Sequence, residues 1–387
     1  MTIENFDLVC FSHLRWNFVY QRPQHLLSRF SKVTRLFYIE EPNFEDGPEY
    51  CQVTNTDKNI WIVVPQINKN LSEADIAGHQ EKLLADFFVK MGIEKYFFWY
   101  YTPMSLAFSK NFHPELIVYD CMDELAAFKF APQSLKDNEQ ELIRKADLVF
   151  TGGYSLYEAK KHLHPSIYAF PSSIDKEHFS KARSNGIEPT DQSGISEPKI
   201  GFYGVIDERL NIELVGEIAA RKPEWNFIII GPVVKIDPAS LPRFQNIHYL
   251  GSKSYQELPS YLSGWNVAMI PFALNESTRF ISPTKTPEYL SAGKPVVSTS
   301  IRDVVHDYGQ TEFVHIADTP EDFIEAISSG LDITDRGSWL ARVDEFLQHN
   351  SWDNTWNDMV ALINLKLSNK AQEKTIHNLN LKENVYV

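Results

Sequence analysis

The sequence predicts an α/β protein of two Rossmann-like, doubly wound domains that face each other across a cleft. Its 387 residues, 43% of them apolar, exceed what one hydrophobic core usually serves. Short apolar runs alternate with amphipathic stretches along the chain, which is the pattern of buried parallel strands joined by helices. A polar segment at residues 180–198, which contains Gly and Pro and has neither periodicity, divides the chain almost evenly.

The predicted elements follow from these periods, in chain order. The strands are apolar, β-branched or aromatic runs at residues 7–11, 35–39, 60–64, 116–119, 148–150, 199–203, 227–230, 267–270 and 295–298. The helices have apolar residues at helical spacing and lie at residues 21–31, 73–91, 134–146, 210–221 and 320–330. We therefore expect an N-terminal domain at 1–180, a linker at 181–198, a C-terminal domain at 199–350, a helix at 351–368 and a mobile tail at 369–387.

Composition excludes several classes of protein. The formal charge of -14 argues against general nucleic-acid binding, because such proteins carry a basic face that neutralises phosphates. The three cysteines form no CxxC pair and have no zinc spacing with histidine. The N-terminus lacks the basic start and long apolar region of a secretory signal, and no run reaches 18 apolar residues. A cytoplasmic protein is expected.

The stretch at residues 271–298 carries the most informative chemistry. Pro283 suits the first turn of a helix, Gly293 suits its C-terminal stop, and a strand follows. Lys285 and Glu288 lie three residues apart, so they share one helix face. The lysine and free backbone N–H groups can meet a diphosphate, while the carboxylate accepts hydrogen bonds from ribose hydroxyls. The alternative is a surface ion pair on an amphipathic helix.

The string PTKTPEYLSAGKPVVS resembles the donor-binding signature of bacterial GT-B glycosyltransferases, the group described as family 1 or family 4. The resemblance implies a GT-B fold, with the donor held mainly by the second domain and the acceptor by the first. It implies that Glu288 binds the donor ribose and that Lys285 faces the phosphates, with Thr284 and Arg279 beside them. It also implies that the C-terminal helix packs back across the domain gap, with Trp352 and Trp356 as core anchors.

Two other strand ends of the C-terminal half resemble donor-binding segments of the same family. A strand ends at Gly204, and the loop after it carries Arg209, which matches the arginine that stabilises the leaving diphosphate. Family members have a lysine shortly afterwards; here Lys285 or Arg279 would supply that second charge. The alternative for Arg209 is pairing with the acids beside it. A further buried strand ends at Gly231, which matches the strand end beside the nucleotide base.

In the N-terminal half, a polar loop follows the first strand, where an open α/β sheet presents ligands. Family members usually have a glycine-rich loop there, whereas this sequence resembles a subgroup with Q-R-P-Q-H. His13, Arg15, Gln21 and Arg22 are therefore candidates for contacts to the acceptor or the donor sugar. The alternative is a capped helix whose arginine and histidine make structural hydrogen bonds.

Asp120 and Asp123 follow another buried strand and face the same cleft, where carboxylates can orient sugar hydroxyls. We expect Asp120 to join Arg209 and Lys285 as a catalytic residue and Asp123 to bind sugar. The chain departs from the family twice near this point. Met122 stands where many members have a histidine, and Phe280 stands where many family-4 members have a second glutamate, the nearest acid being Glu276.

The expected function is transfer of a sugar from a nucleotide-diphosphate sugar to a cell-surface polysaccharide or a lipid-linked acceptor. Cations would stabilise the departing diphosphate, so no metal and no cofactor besides the nucleotide-sugar co-substrate are expected. By analogy with family 4 the configuration is retained, and contact with the inner membrane face would be peripheral. Two alternatives stay open: a nucleotide-sugar epimerase, and a non-catalytic GT-B partner that binds the nucleotide sugar.

Overall fold

Two mainly parallel sheets, one from each half of the chain, form the framework of the computed structural model, which describes residues 2–56, 59–127, 131–184 and 187–383, with side chains up to 375. The N-terminal sheet has the order β3-β5-β2-β1-β6-β7-β8-β9, with β4 antiparallel to β5 at one edge. Its strands are β1 (Asp7–Phe11), β2 (Leu36–Ile39), β3 (Asn43–Glu45), β4 (Tyr50–Thr56), β5 (Ile60–Asn68), β6 (Tyr96–Tyr100), β7 (Ile117–Cys121), β8 (Leu148–Thr151) and β9 (Ile167–Ala169).

Helices cover both faces of this sheet and enclose two apolar clusters. They are α1 (Arg22–Phe30), α2 (Glu73–Met91), α3 (Leu106–Ser109), α4 (Ser134–Lys145) and α5 (Tyr154–Lys160). The next helix, α6 (Lys176–Ser180), packs instead against the C-terminal domain, in whose apolar cluster Phe179 is buried. The strands beside β1 are parallel to it, so their carboxyl ends meet at one edge of the sheet, where ligands bind in such folds.

The C-terminal sheet has the order β12-β11-β10-β13-β14-β15 and is parallel throughout its described pairs. Its strands are β10 (Lys199–Tyr203), β11 (Asn226–Ile230), β12 (Ile247–Gly251), β13 (Val267–Ile270), β14 (Val296–Ser298) and β15 (Val314–Ile316). Its helices are α7 (Thr190–Ser193), α8 (Ile212–Arg221), α9 (Leu258–Ser263), α10 (Lys285–Ser291), α11 (Arg302–Tyr308), α12 (Pro320–Leu331) and α13 (Arg336–Phe346). One apolar cluster lies around this sheet.

The last helix, α14 (Trp352–Glu383), returns to the N-terminal domain. Trp352, Met359, Ile363 and Leu367 are buried in the same cluster as residues of the N-terminal sheet. The indole of Trp352 is fully buried, as predicted for a core anchor.

The segment predicted as a mobile tail from residue 369 is helical up to Glu383, where α14 ends; its mobility stays a prediction. Lys370 pairs with Asp147 at 2.8 Å and Lys374 pairs with Glu115 at 2.6 Å, so polar contacts to the N-terminal domain replace the missing apolar period. Residues 384–387 lie outside the described residues. The segment predicted as a linker joins the two sheets and contains α7, with Gln192 buried; residues 185–186 of it are also outside the described part.

Candidate functional site

A cavity of about 210 Å³ lies between the two domains at the carboxyl ends of the central strands. The C-terminal domain contributes the ends of β10 and β11 and the start of α10, and the N-terminal domain contributes the start of α1 and the loops after β7 and β8. Of the residues predicted from sequence, those that line the cavity are Gln21, Arg22, Asp123, Gly204, Arg209, Gly231, Thr284, Lys285 and Glu288.

Lys285 is the first residue of α10 and lies against the end of β10. Its Nζ atom is 5.8 Å from the centre of the Phe202 ring and 5.6 Å from that of Phe272. Burial, together with the nearby charge of Arg209, lowers the pKa of Lys285 to about 8. Within the described part of the chain, Lys285 has no hydrogen bond and no ion pair with a protein group. A half-buried ammonium in that situation suits an anionic ligand.

Two glycines let the backbone approach Lys285 closely. Gly204 has φ +147, and a Cβ there would lie 2.5 Å from Cε of Lys285. Gly231 has φ +145, and a Cβ there would lie 1.8 Å from the carbonyl oxygen of Gly204. Both positions therefore favour glycine for backbone conformation, and Gly231 also requires it for space, because its neighbour is backbone that cannot move away.

Glu288 lies one helical turn after Lys285 and is 5% exposed. The Tyr203 hydroxyl donates a short hydrogen bond to its carboxylate, and the Tyr203 backbone N–H donates to the Tyr289 hydroxyl at 3.0 Å. Burial raises the pKa of Glu288 to about 7, against the opposing effects of Tyr203 and Lys285. The two tyrosine contacts fix α10 on the end of β10, so that Lys285 and Glu288 share the cavity wall, as their spacing predicts.

Arg209 lies in the loop between β10 and α8 and is held by Asp207. Its Nε atom donates to Asp207 at 2.9 Å and its terminal nitrogen donates at 2.7 Å, which is a bidentate pair. Asp207 is only 4% exposed, so the guanidinium has a fixed orientation toward the cavity. Arg209 can therefore pair with Asp207 and still contact a ligand in the cavity.

Arg22 and Asp120 form a buried bidentate pair on the N-terminal side of the cavity. Nε of Arg22 lies 3.0 Å and a terminal nitrogen 2.8 Å from the carboxylate oxygens of Asp120, and the other terminal nitrogen donates to the Phe170 carbonyl at 2.7 Å. Arg22 is 2% exposed and lines the cavity, whereas Asp120 is fully buried behind it. Asp120 therefore holds Arg22 in place and does not itself reach the cavity; its predicted catalytic role stays a prediction.

Asp123 follows β7 and lines the cavity between the two walls. Burial raises the pKa of its carboxyl group to about 6, although the charges of Arg209, Arg22 and Lys285 act in the opposite direction. The carboxylate is therefore close enough to the cations of both domains to interact with them.

Besides Asp120, three predicted residues lie away from the cavity lining: Arg279, Arg15 and His13. Arg279 has a side chain that is 59% exposed and lies 3.9 Å from Glu276. Arg15 bonds to Glu40 at 2.9 Å and braces the loop after β1. Burial lowers the pKa of His13 to about 4, and its Nδ1 atom has no partner among the described residues. Their proposed contacts to substrate remain predictions.

The domains also touch beside the cavity. An Asp303 carboxylate oxygen in α11 accepts a hydrogen bond from the Ser155 backbone N–H of α5 at 2.9 Å, and the rings of Tyr154 and His306 stack 3.9 Å apart. Asp303 is 2% exposed. This contact joins the loop after β8 to the C-terminal domain.

Sequence reasoning missed the aromatic part of the site. Tyr203, Tyr255 and Tyr20 line the cavity, and the rings of Tyr20 and Tyr255 stack 4.5 Å apart across the domain boundary. Tyr203 is the last residue of a predicted strand and directly precedes Gly204, which was predicted to contact the donor. That position could have identified Tyr203 as a cavity residue. Tyr20 and Tyr255 lie in loops, and only the fold brings them together.

The described residues contain neither a metal-binding cluster nor a helix that could span a membrane. No group of three or more His, Cys, Asp or Glu residues there is arranged to hold a metal ion. None of the helices in the same part of the chain combines the length and the apolar content that crossing a membrane requires.

Comparison with known proteins identifies related sequences and folds. Residues 197–332 match the family model described as glycosyl transferases group 1. The "Putative teichuronic acid biosynthesis glycosyltransferase TuaH" of Bacillus subtilis (strain 168) is 26% identical over 251 residues, which cover 59% of this chain and 62% of that relative. The match therefore spans less than two thirds of the relative's length.

Solved structures of similar shape cover nearly the whole chain. Sucrose-phosphate synthase from Thermosynechococcus elongatus has a TM-score of 0.68 and 13% identity, over 94% of this chain and 99% of that one. Anabaena Alr3699/HepE, solved in complex with UDP and glucose, has a TM-score of 0.67 and 12% identity, over 93% and 99%. The predicted fold class is thus confirmed, since the chain has the GT-B fold, and residues 197–332 match the glycosyl transferases group 1, which supports the predicted family.

Proposed function

We propose that this protein transfers a glycosyl unit from a nucleotide-diphosphate sugar, bound by the C-terminal wall of the cavity, to an acceptor that enters from the N-terminal side. The observation that carries the proposal is the convergence of Lys285, Arg209 and Glu288 on one interdomain cavity. Carboxylates lie near Lys285, but it forms no ion pair or hydrogen bond with a described residue, so a diphosphate could bind its ammonium directly. Glu288 would accept from the ribose hydroxyls, as the family resemblance implies.

The proposed chemistry is electrostatic. As the bond between the anomeric carbon and the diphosphate oxygen breaks, negative charge grows on the diphosphate, and the fixed guanidinium of Arg209 and the ammonium of Lys285 oppose it. The acceptor hydroxyl forms the new bond to the anomeric carbon, and its proton leaves with the nucleotide diphosphate. The proposed reaction needs no metal ion, because Arg209 and Lys285 supply the positive charge. The configuration at the anomeric carbon is retained in this proposal, by the resemblance to family 4.

The proposed acceptor is a cell-surface polysaccharide or a lipid-linked precursor of one. In this proposal the protein acts in the cytoplasm, at the inner face of the membrane. Support comes from the Bacillus subtilis relative, whose name assigns it to teichuronic acid biosynthesis.

Binding of nucleoside diphosphates to purified protein tests the proposal. A ligand at 100 times its dissociation constant should raise the free energy of unfolding by about 2.7 kcal/mol, measurable as a thermal shift. Lys285→Met should weaken that binding at least about tenfold, since a charge-assisted hydrogen bond contributes about 1.5–3 kcal/mol. Lys222→Met, which removes an ammonium near the Trp225 ring in the same domain, is the matched control and should leave binding unchanged.

Product analysis separates the alternatives. Release of nucleoside diphosphate with transfer or hydrolysis of the sugar, lost in Glu288→Ala, fits the proposal. Conversion of the sugar without an acceptor would indicate an epimerase, and tight binding without turnover would indicate a non-catalytic partner. Absence of binding by every nucleoside diphosphate tested would exclude all three.

A further inference from the structure

The N-terminal wall of the cavity holds two charged side chains, Arg22 and Asp123, that the diphosphate chemistry does not use. Arg22 belongs to the Q-R-P-Q-H segment, and the other polar members of that segment have structural contacts. Gln21 and Gln24 form the capping box of α1, and His25 stacks on Trp352 with ring centres 4.7 Å apart. Arg22 is the member of the segment that is both charged and exposed to the cavity.

The guanidinium of Arg22 has two N–H groups without a protein acceptor in the described part of the chain. Of its five N–H groups, the Nε–H and one on a terminal nitrogen bond to Asp120, and one on the other terminal nitrogen bonds to the Phe170 carbonyl. The side chain is 3% exposed, so bulk water gives little compensation. A ligand oxygen in the cavity would satisfy these two donors.

The net charge of this wall determines whether a neutral or a negatively charged ligand group can bind there. Asp120 balances the charge of Arg22 through the bidentate pair, and Asp123 adds a second carboxylate beside them. Arg22, Asp120 and Asp123 together therefore carry one negative charge when all are ionised. A neutral hydroxyl can accept from Arg22 and donate to Asp123, whereas a carboxylate or phosphate would meet like charge at low dielectric.

The wall also lies next to the proposed diphosphate site. Asp123, Arg209 and Lys285 line the same cavity, and the charges of both cations act on the Asp123 carboxyl group, so it faces the place where those cations would hold phosphate. The unit that reaches Asp123 from a bound diphosphate is the sugar attached to it.

We propose that Arg22 and Asp123 form the subsite for the transferred sugar and that this sugar is uncharged, its hydroxyls accepting from Arg22 and donating to Asp123. The proposal rests on the proposed function and deepens it, because it assigns a substrate class to this wall. Asp120 is then a positioning residue that acts through Arg22.

Calorimetric binding of three ligands tests this: a nucleoside diphosphate, its neutral hexose derivative and its uronate derivative. The sets are UDP, UDP-glucose and UDP-glucuronate, and GDP, GDP-mannose and GDP-mannuronate; the nucleotide that binds is used. We expect the neutral sugar to add about tenfold to the affinity of the nucleotide and the uronate to add nothing. A uronate that binds as tightly as the hexose would overturn the assignment.

Variants connect that increment to the named residues. Arg22→Met alone leaves Asp120 buried without a partner, so the variant to use is Arg22→Met combined with Asp120→Leu, which removes the pair together. It should bind the nucleotide within about twofold of the wild type and lose the increment of the hexose. Arg35→Met with Asp7→Leu removes a similar pair at the opposite end of β1 and should leave both affinities unchanged.

Asp123→Asn should increase the relative affinity for the uronate, which would not happen if Asp123 had only a structural role. It keeps the size of the side chain and removes the charge, so the affinity for the uronate relative to the hexose should rise about tenfold. An unchanged ratio, or a hexose increment that survives in the double variant, would contradict the proposal. Failure of the nucleotide itself to bind would overturn the proposed function and this inference with it. Binding of the nucleotide without the expected effect of the sugar would overturn this inference alone.

Discussion

The cations of the cavity differ in how the protein holds them. Arg209 and Arg22 each have a bidentate carboxylate partner, Asp207 and Asp120, which fixes the plane of the guanidinium before any ligand arrives. Lys285 lies between the Phe202 and Phe272 rings and keeps the rotational freedom of an ammonium. The fixed arginines suit directional contacts, and the lysine suits a diphosphate whose charge shifts during the reaction.

Binding of a nucleoside diphosphate should depend on pH with a maximum near neutrality. Burial raises the pKa of Glu288 to about 7, and binding of ribose requires its charged form, so affinity should rise as the pH increases through that value. Burial and Arg209 lower the pKa of Lys285 to about 8, and binding of phosphate requires its charged form, so affinity should fall above that value. Calorimetric titrations from pH 5.5 to 9.5 would trace the two limbs.

Single substitutions assign the limbs to residues. Glu288→Gln should remove the acidic limb and keep the alkaline one, whereas Lys285→Met should do the reverse at much lower affinity. A profile of the wild type that is flat between pH 6 and 9 would show that these two groups do not control binding.

At the scale of elements, the contact between α5 and α11 holds the cavity closed on one side. The turn before α5 contains Gly152, which lines the cavity, and Gly153, where a Cβ would lie 2.1 Å from an Asp303 oxygen and 2.7 Å from Cβ of Ser282. Ser282 lines the cavity from the other domain. The turn and the loop before α10 therefore pack against each other without room for a methyl group.

Gly153→Ala should push the two domains apart and weaken nucleotide binding by about tenfold, while each domain stays folded. The reason is that both clashing groups belong to the C-terminal domain, so a small separation of the domains relieves the clash. Small-angle scattering should show a larger radius of gyration in the variant. Gly194→Ala, at a glycine with nothing within 4 Å of the added methyl, is the control. Unchanged scattering with unchanged affinity would mean that the loops absorb the methyl group locally.

Elements with a clear period were predictable, whereas a central strand and an edge strand were among those missed. The prediction for α2 at residues 73–91 matches the structure, because an uninterrupted helical pattern ends at Gly92, which has φ +62. The aromatic run of β6 was missed among neighbouring aromatic residues, and β4 was missed because it is an exposed edge strand whose side chains face mostly solvent. Pairing partners across a sheet are a property of the fold and leave no local signal.

The same distinction holds for the site. Lys285 and Glu288 were predictable because helix geometry places residues three apart on one face. The partnership of Arg22 with Asp120 joins residues 98 positions apart, and nothing in the local pattern of either residue specifies it. Arg279 was expected at the site from its proximity in sequence, yet its side chain is mostly exposed. Position on one face of a helix therefore predicts membership of the site better than proximity in the sequence does.

At the scale of the whole molecule, aromatic rings connect the two domains and the last helix. His25 of α1 stacks on Trp352 of α14, and Tyr255 of the C-terminal domain stacks on His178, with ring centres 4.2 Å apart, and on Tyr20. These rings lie where the chain crosses between the domains. The helix after the C-terminal domain in sequence is therefore part of the N-terminal domain in structure, which the resemblance to GT-B proteins implied.

Two tryptophan substitutions can test this assignment of α14. Trp352 is fully buried in the N-terminal cluster, and Trp339 is 4% exposed in the C-terminal cluster; neither indole N–H has a partner among the described residues, so the two form a matched pair. Replacing either by Ala should cost about 3–5 kcal/mol of stability. Scanning calorimetry should then show Trp352→Ala lowering the unfolding transition of the N-terminal domain by on the order of 10 °C, and Trp339→Ala lowering that of the C-terminal domain. If Trp352→Ala instead moved the C-terminal transition, α14 would belong energetically to the domain that precedes it in the chain.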